Sequence, residues 1–239
     1  PGDARGLLDD AYRQIRREFL IAPPWLLHSS VPELLAGFWC AFRESLIAGP
    51  ANRAAREAVA EGVAEVNRCP YCADVHSFML DGALLGKQQR RADPEIATYR
   101  DWALATRSPS AAVLKSPPFE ARDRAQIIGT ALVFHYLNRM VSVYLGDSPL
   151  PPDRFSRGAA TSVLAKRIAN VAAVPGESLA LLPSASVPEW LGWARENPSV
   201  AEAFTRFHNA VEKASPEFVS CGVRELVESR LAGWNGEDP

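Results

Sequence analysis

Proline placement constrains the fold of this chain more than any other feature of its sequence. Residues 31–49, VPELLAGFWCAFRESLIAG, place Pro32 where a first helical turn begins and lead into Pro50, which ends the pattern. Further segments with apolar residues at helical spacing follow, the longest being 118–146, PFEARDRAQIIGTALVFHYLNRMVSVYLG. Among the others are 188–197, PEWLGWAREN, and 199–214, SVAEAFTRFHNAVEKA, after which we expect a break and a new helix from Pro216. No segment alternates apolar and polar residues with the period of a strand. The sequence therefore predicts an all-α fold.

Composition and charge limit the kinds of partner that this protein can bind. Of the 239 residues, 47% are hydrophobic, which suffices for a sizeable core, and the net charge is −2 with both signs mixed along the chain. Because no basic arm or stripe is present, we expect no nucleic acid partner. The longest strongly apolar stretch, IIGTALVF, has eight residues and precedes His135. We interpret it as part of a buried helix, and we expect no membrane partner and no signal peptide.

Cysteine usage indicates the compartment. The chain has four cysteines, Cys40, Cys69, Cys72 and Cys221, which is few for a secreted disulfide scaffold. We therefore expect a reducing, cytoplasmic location, where a CxxC pair is catalytic or metal-binding more often than structural. Cys40 and Cys221 stand in apolar surroundings, so we expect both to be buried.

Segments rich in Pro, Ser or Gly suggest how the chain is organised. Residues 148–156 and 171–187 are the best candidates for linkers. They suggest a helical domain over 1–147, which holds the CxxC pair, and a second helical unit over 157–239.

A weak internal similarity relates the two units. SVPELLAG, beginning at Ser30, resembles SVPEWLGW at Ser186, and REAVAEGVAEVN at Arg56 resembles RELVESRLAGWN at Arg224. Two amphipathic helices can look alike by chance, so chance and duplication are both open. A duplicated copy would lack the cysteine pair and would be chemically silent, with Glu225 at the position of Glu57.

The stretch NRCPYCADVH, residues 67–76, carries the chemistry. Pro70 suits the first turn of a helix, which places Cys69 at its N-cap and puts Cys72 and His76, four residues apart, on one face. The positive end of the helix dipole and a nearby imidazole both favour a thiolate, which is the reactive form of cysteine. The second thiol can then close a disulfide.

A base for these thiols comes from the preceding helix. Glu57 lies twelve residues before Cys69 and reaches the start of the next helix if the chain turns back at Asn67 and Arg68. Glu61 and Glu65 can also reach it, and the spacing does not choose among the three.

The motif REAVAEGVAEVNRCPYCADVH, residues 56–76, resembles the core of the alkylhydroperoxidase D-like (AhpD-like) proteins of the carboxymuconolactone decarboxylase superfamily. The resemblance implies an all-α, AhpD-like helical fold and a homo-oligomer. It also implies that Cys72 attacks the peroxide, that Cys69 is proton donor and resolving thiol, and that Glu57 and His76 relay protons. Tyr71 stands where alkylhydroperoxidase D has a further histidine, which implies a simpler relay.

These observations lead to one prediction and three alternatives. We predict a peroxidase that acts on a small-molecule peroxide, needs no cofactor or metal and is reduced by a thiol protein or a small dithiol. The alternatives are a zinc site made by Cys69, Cys72, His76 and Glu57, a decarboxylase of the carboxymuconolactone type, and a non-catalytic redox-sensing or binding protein. Whether His135, Asn138 and Arg139 line the site stays open.

Overall fold

The computed structural model describes residues 2–85, 93–148, 150 and 159–234. Within these residues eleven α-helices form, with no β-strand, so the prediction of an all-α fold is confirmed. They are α1 Leu7–Glu18, α2 Pro23–Leu26, α3 Pro32–Phe42, α4 Arg53–Val66, α5 Pro70–Leu84, α6 Pro94–Ala105, α7 Ala112–Lys115, α8 Ala121–Tyr144, α9 Ala159–Ala169, α10 Pro198–Phe218 and α11 Cys221–Ala232. A π-helical turn, Arg43–Ile47, extends α3, and 3₁₀-helices cover Glu177–Leu181 and Glu189–Ala194.

Helices begin where the sequence signals indicate. A proline occupies the first turn of α3, α5, α6 and α10, where its missing N–H would have no helical partner. Side-chain oxygens cap three helices: Asn52 accepts from the N–H of Ala54 on α4, while Asp93 and Asn197 cap α6 and α10. Helix α8 is the longest, as predicted.

Two predicted helices differ in the structure. Residues 188–197, predicted as one helix, instead form a short 3₁₀-helix. The break that we expect at Pro216 does not occur, because α10 continues through this residue to Phe218. Pro216 lies in the last turn of α10, where its missing N–H removes a single helical hydrogen bond.

Helix α4 is the centre of the molecule. It packs against α5, α6 and α8, and every residue from Arg53 to Ala64 is buried. A helix that is buried all round must satisfy its charged side chains inside the protein, which places Arg53, Arg56, Glu57 and Glu61 in the interior. On the far side of the core, α3 packs against α1, α8 and α10.

Residues of both predicted units contribute to one buried core. Ala165 of α9 and Leu191, Val200 and Phe204 further along the chain belong to the same cluster as the side chains of α3, α4 and α5. Gly37 permits the close approach of α10 to α3, since a Cβ atom there would lie 2.9 Å from the Cα atom of Phe207. The division at 147 and 157 stays a prediction.

The segment 171–187, predicted as a linker, is held by buried charges over its first part. The guanidinium of Arg43 contacts Glu18 at 2.6 Å, Glu44 at 2.6 Å and the carbonyl of Val174 at 3.0 Å. Glu44 in turn accepts from the backbone N–H of Gly176 at 2.8 Å. This part of the chain is therefore fixed to the core, and the linker interpretation of it was wrong. The other linker candidate, 148–156, lies mostly outside the described residues.

The internally similar segments have different surroundings. Residues 30–37 contain the start of α3, whereas 186–193 lead into a 3₁₀-helix. Helix α4 is buried, whereas α11 has no buried residue. Cys221 is exposed, contrary to expectation, because it opens this surface helix, where its thiol contacts Glu225 at 3.1 Å. The duplication stays a prediction.

In the part of the chain that the structure describes, no helix combines the length and the apolar character needed to span a bilayer.

Candidate active site

The turn between α4 and α5 positions the first cysteine. Arg68 adopts a left-handed conformation with φ of 54°. The N–H of Arg68 donates to the carbonyl of Glu65 and the N–H of Cys69 donates to that of Ala64, both at 2.9 Å, which is the Schellman pattern of a helix end. Cys69 is thus both the last residue of this turn and the N-cap of α5, as the sequence predicts.

The two thiols of the motif are hydrogen-bonded to each other. Cys69 and Cys72 are free and buried, with 1% and 2% of their surfaces exposed. A hydrogen bond from the Cys72 thiol lowers the pKa of Cys69 to about 6, against the effect of burial, and the Cys72 backbone amide and the Ser142 hydroxyl lower it further. The same hydrogen bond, burial and the charge of Cys69 raise the pKa of Cys72 far above its usual range. Both directions favour a thiolate on Cys69 that accepts a hydrogen bond from the Cys72 thiol.

Glu57 and His76 form a buried pair next to the motif. Nδ1 of His76 lies 2.7 Å from one carboxylate oxygen of Glu57, and Nε of Arg53 donates to the other at 2.8 Å. Burial would raise the pKa of Glu57, but the charges and hydrogen bonds of Arg53 and His76 outweigh it, so the pKa is lowered. When Nδ1–H donates to this carboxylate, Nε2 is the nitrogen of His76 that can accept a further proton.

Of the three glutamates that could reach the motif, the structure brings Glu57 to His76. Glu65 pairs instead with Arg100 at the surface. Glu61 is buried one turn further along α4 than Glu57. The imidazole of His76 is also held by the ring of Phe134, whose centroid lies 4.4 Å away in an edge-on arrangement.

Helix α8 forms the opposite wall of the site. The side chain of Asn138 contacts the Cys72 thiol, and that of Ser142 contacts the Cys69 sulfur. His135 lies behind them, with Nδ1 at 3.1 Å from the Asn67 amide and Nε2 at 2.7 Å from the Thr106 hydroxyl. Burial, together with the charges of Arg139 and Arg107, lowers the pKa of His135 to about 4, so this histidine is neutral.

Three residues of the site lie outside the cysteine motif and cannot be identified from that motif alone. Arg53 is four residues before Glu57, and this helical spacing is a signal that could have identified it. Asn138 and Ser142 belong to a helix far along the chain, and no local pattern relates them to the cysteines. Among the described residues, no group of three or more His, Cys, Asp and Glu is arranged to hold a metal ion.

Comparison with a known protein shows the family to which this chain belongs. An alkyl hydroperoxide reductase of Mycobacterium tuberculosis is 32% identical to this chain over an alignment of 251 residues, which covers 99% of the chain and 71% of that protein. The chain belongs to the AhpD-like family. The resemblance found in the motif is thereby confirmed, and this AhpD-like protein is an alkylhydroperoxidase-like oxidoreductase. No family model matches the chain, and no solved structure matches it.

Proposed function

We propose that this AhpD-like protein reduces hydroperoxides through a dithiol–disulfide cycle of Cys69 and Cys72, with Glu57 and His76 as the proton relay. The observation that carries the proposal is the geometry of the site, where two free, buried and hydrogen-bonded thiols lie on the helix that also carries His76, whose Nδ1 is 2.7 Å from the Glu57 carboxylate. The name of the mycobacterial relative, alkyl hydroperoxide reductase, supports the class of substrate.

The first step is attack on the peroxide. As the substrate approaches, the proton of Cys72 passes to the Cys69 sulfur along their hydrogen bond, which makes Cys72 the thiolate. This thiolate attacks the terminal oxygen, the O–O bond breaks, and the alkoxide takes the proton from Cys69. The products are an alcohol, a sulfenic acid on Cys72 and a thiolate on Cys69. The low pKa of Cys69 and attack by Cys72 are therefore compatible.

The second step forms the disulfide. The Cys69 thiolate attacks the Cys72 sulfur, the S–O bond breaks, and hydroxide leaves as water after taking a proton. His76 supplies this proton through Nε2, and Glu57 holds the imidazole by its Nδ1–H. His76 regains a proton when the disulfide is reduced. A thiol protein or a small dithiol then returns two electrons and two protons.

Thiol variants test the cycle. We expect Cys72→Ser to abolish peroxide consumption in the presence of dithiothreitol, because no peroxide-reacting sulfur is left. Without dithiothreitol, which would reduce a sulfenic acid directly, we expect Cys69→Ser to consume one equivalent and to stop as a sulfenic acid, detected by dimedone labelling. The matched control is Cys221→Ser, which changes an exposed thiol outside the site and should leave turnover unchanged.

The wild-type protein separates the competing functions. Repeated turnover supports the peroxidase, whereas a single oxidation that is not followed by turnover would indicate a redox sensor. Full turnover by Cys72→Ser would overturn the proposed chemistry.

We also propose that the protein forms a homo-oligomer. Large apolar side chains are exposed on α8 and α11, among them Tyr144, Val223, Leu226 and Val227. Contact between copies would remove this apolar surface from water. Light scattering that shows only a monomer at micromolar concentration would contradict this expectation.

A further inference from the structure

A cavity of about 790 Å³ opens beside the two thiols. Asn138 and Ser142, which contact the sulfurs of Cys72 and Cys69, are part of its lining. The two cysteines are not part of the lining, so the cavity adjoins the thiols through Asn138 and Ser142 and extends from there toward α11. Its volume is in the range of sites that enclose a small organic ligand.

The lining combines apolar surface with positive charge. Val143 of α8, Leu231 of α11 and Trp234 supply apolar surface. Four arginines also line the cavity, Arg68, Arg107, Arg139 and Arg230, and the described lining contains no Asp or Glu. Burial, and after it the charge of Arg107, lowers the pKa of Arg139. A carboxylate placed beside Arg139 and Arg230 would pair with positive charge from both helices.

We propose that the cavity selects amphipathic hydroperoxides, whose apolar body carries a carboxylate that Arg139 and Arg230 hold while the peroxide group lies at the thiols. This inference rests on the proposed function and specifies its substrate. Guanidinium groups favour carboxylates because two parallel N–H donors match the two oxygens. Arg139 and Arg230 come from α8 and α11, so a bound carboxylate would bridge the two helices.

Ligand binding, measured without turnover, tests whether the cavity recognises a carboxylate. Titration calorimetry on the reduced protein would compare decanoate with decan-1-ol, which has the same chain length and no charge. We expect decanoate to bind about tenfold more tightly, the effect of one charge-assisted contact. The double variant Arg139→Gln with Arg230→Gln should lose this preference, and Arg139→Lys with Arg230→Lys should keep part of it.

A matched control uses an arginine elsewhere on the surface. Arg13→Gln changes an exposed arginine of α1, outside the cavity lining, and should keep the preference of the wild-type protein. Both cavity arginines are on the surface of their helices, so the double variant should fold, which circular dichroism verifies. Equal binding of decanoate and decan-1-ol by the wild-type protein overturns the inference, as does an unchanged preference in the double variant.

Turnover distinguishes failure of this inference from failure of the proposed function. We expect the kcat/KM of a hydroperoxy fatty acid to exceed that of its methyl ester, with the difference lost in the glutamine double variant. Equal turnover of acid and ester overturns the substrate preference and leaves the peroxidase function standing. If neither compound is turned over although decanoate binds preferentially, the peroxidase function fails, and with it the claim that the ligand is a hydroperoxide.

Discussion

At the scale of single residues, the same functional group behaves in opposite ways within this protein. Burial raises the pKa of the Cys40 thiol to about 12, although the side chain of Ser178 acts in the opposite direction. Cys69 also exposes almost none of its surface, yet a hydrogen bond from the Cys72 thiol outweighs burial and lowers its pKa to about 6. Burial alone thus yields an inert thiol, and a hydrogen-bond donor aimed at the sulfur yields a reactive one.

Removing that donor should therefore make Cys69 less acidic. We expect Cys72→Ala to raise the pKa of Cys69 from about 6 toward the ordinary value. The measurement is the rate of alkylation by iodoacetamide against pH, with mass spectrometry to identify the modified residue. Cys221→Ser serves as background, because it removes the exposed thiol. An alkylation midpoint that stays at the same pH in Cys72→Ala would show that the donor is not the cause.

The ionised carboxylate of Glu57 also contributes to the stability of the folded protein. Its pKa is lowered in the folded protein, so its carboxylate contributes stability that is present above the unfolded pKa and is lost as pH falls through the folded pKa. We expect Glu57→Gln to cost roughly 3 kcal/mol at pH 7, because Arg53 keeps a buried charge without its partner.

The cost of Glu57→Gln should shrink as the pH falls below about 4.3, the ordinary pKa of a glutamate, because the unfolded chain then takes up a proton that the folded carboxylate, with its lowered pKa, still resists. Urea unfolding between pH 3 and pH 7 measures this. Glu225→Gln, on the exposed helix α11, should change stability little at any pH. A cost that is the same at every pH would mean that the carboxylate's charge plays no part.

At the scale of elements, the turn between α4 and α5 places Cys69 at the start of the helix that also carries Cys72 and His76. The left-handed conformation of Arg68 reverses the chain within two residues and lets α5 begin at Pro70. A non-glycine residue in this conformation costs free energy, which the surrounding hydrogen bonds must offset. The site is therefore built on a strained turn.

Substitution of Arg68 tests this strain. We expect Arg68→Gly to be more stable than Arg68→Ala by about 1 kcal/mol, because glycine has no Cβ to clash in the left-handed region. The same pair at Arg13, inside α1, should give the reverse order, since glycine weakens a helix interior by about 1 kcal/mol relative to alanine. Chemical denaturation measures all four variants. If alanine were the better residue at both positions, the turn would not be strained.

At the scale of the whole molecule, buried charges hold distant parts of the chain together. Arg43 joins α1, the π-helical turn and residues 171–178 through Glu18, Glu44 and the carbonyl of Val174. The hydroxyl of Ser178 donates to Glu44 at 2.7 Å, which fixes the same segment a second time. The local sequence does not predict that residues 171–178 join this network, because Val174 and Ser178 are more than 130 residues from Arg43 and Glu44, respectively.

Breaking this network should loosen the segment 171–178. We expect Glu44→Ala to cost roughly 3 kcal/mol, because it leaves the buried Arg43 and the N–H of Gly176 short of partners. Urea denaturation measures the loss, and limited proteolysis should find new cleavage within 171–187. Glu33→Ala, which removes an exposed pair with Lys213, should cost less than about 1 kcal/mol. Equal costs for the two variants would refute a special role for the buried network.

The sequence by itself determined the helical class, the helix starts at Pro32 and Pro70, the N-cap position of Cys69 and the family. These features depend on neighbours within one or two turns, so spacing is enough to predict them. Sequence spacing could not choose among Glu57, Glu61 and Glu65, because that choice depends on how α4 is rotated against α5.

Tertiary structure alone decided the environment of the thiols. Asn138, Ser142 and the arginines of the cavity come from α8 and from elements far along the chain, and packing of whole helices brings them to Cys69 and Cys72. Tertiary packing also fixed the first part of the segment 171–187 to the core and left Cys221 on the surface. Burial and the direction of a hydrogen bond are properties of the packed state, so the pKa of a thiol follows from its surroundings and not from its motif.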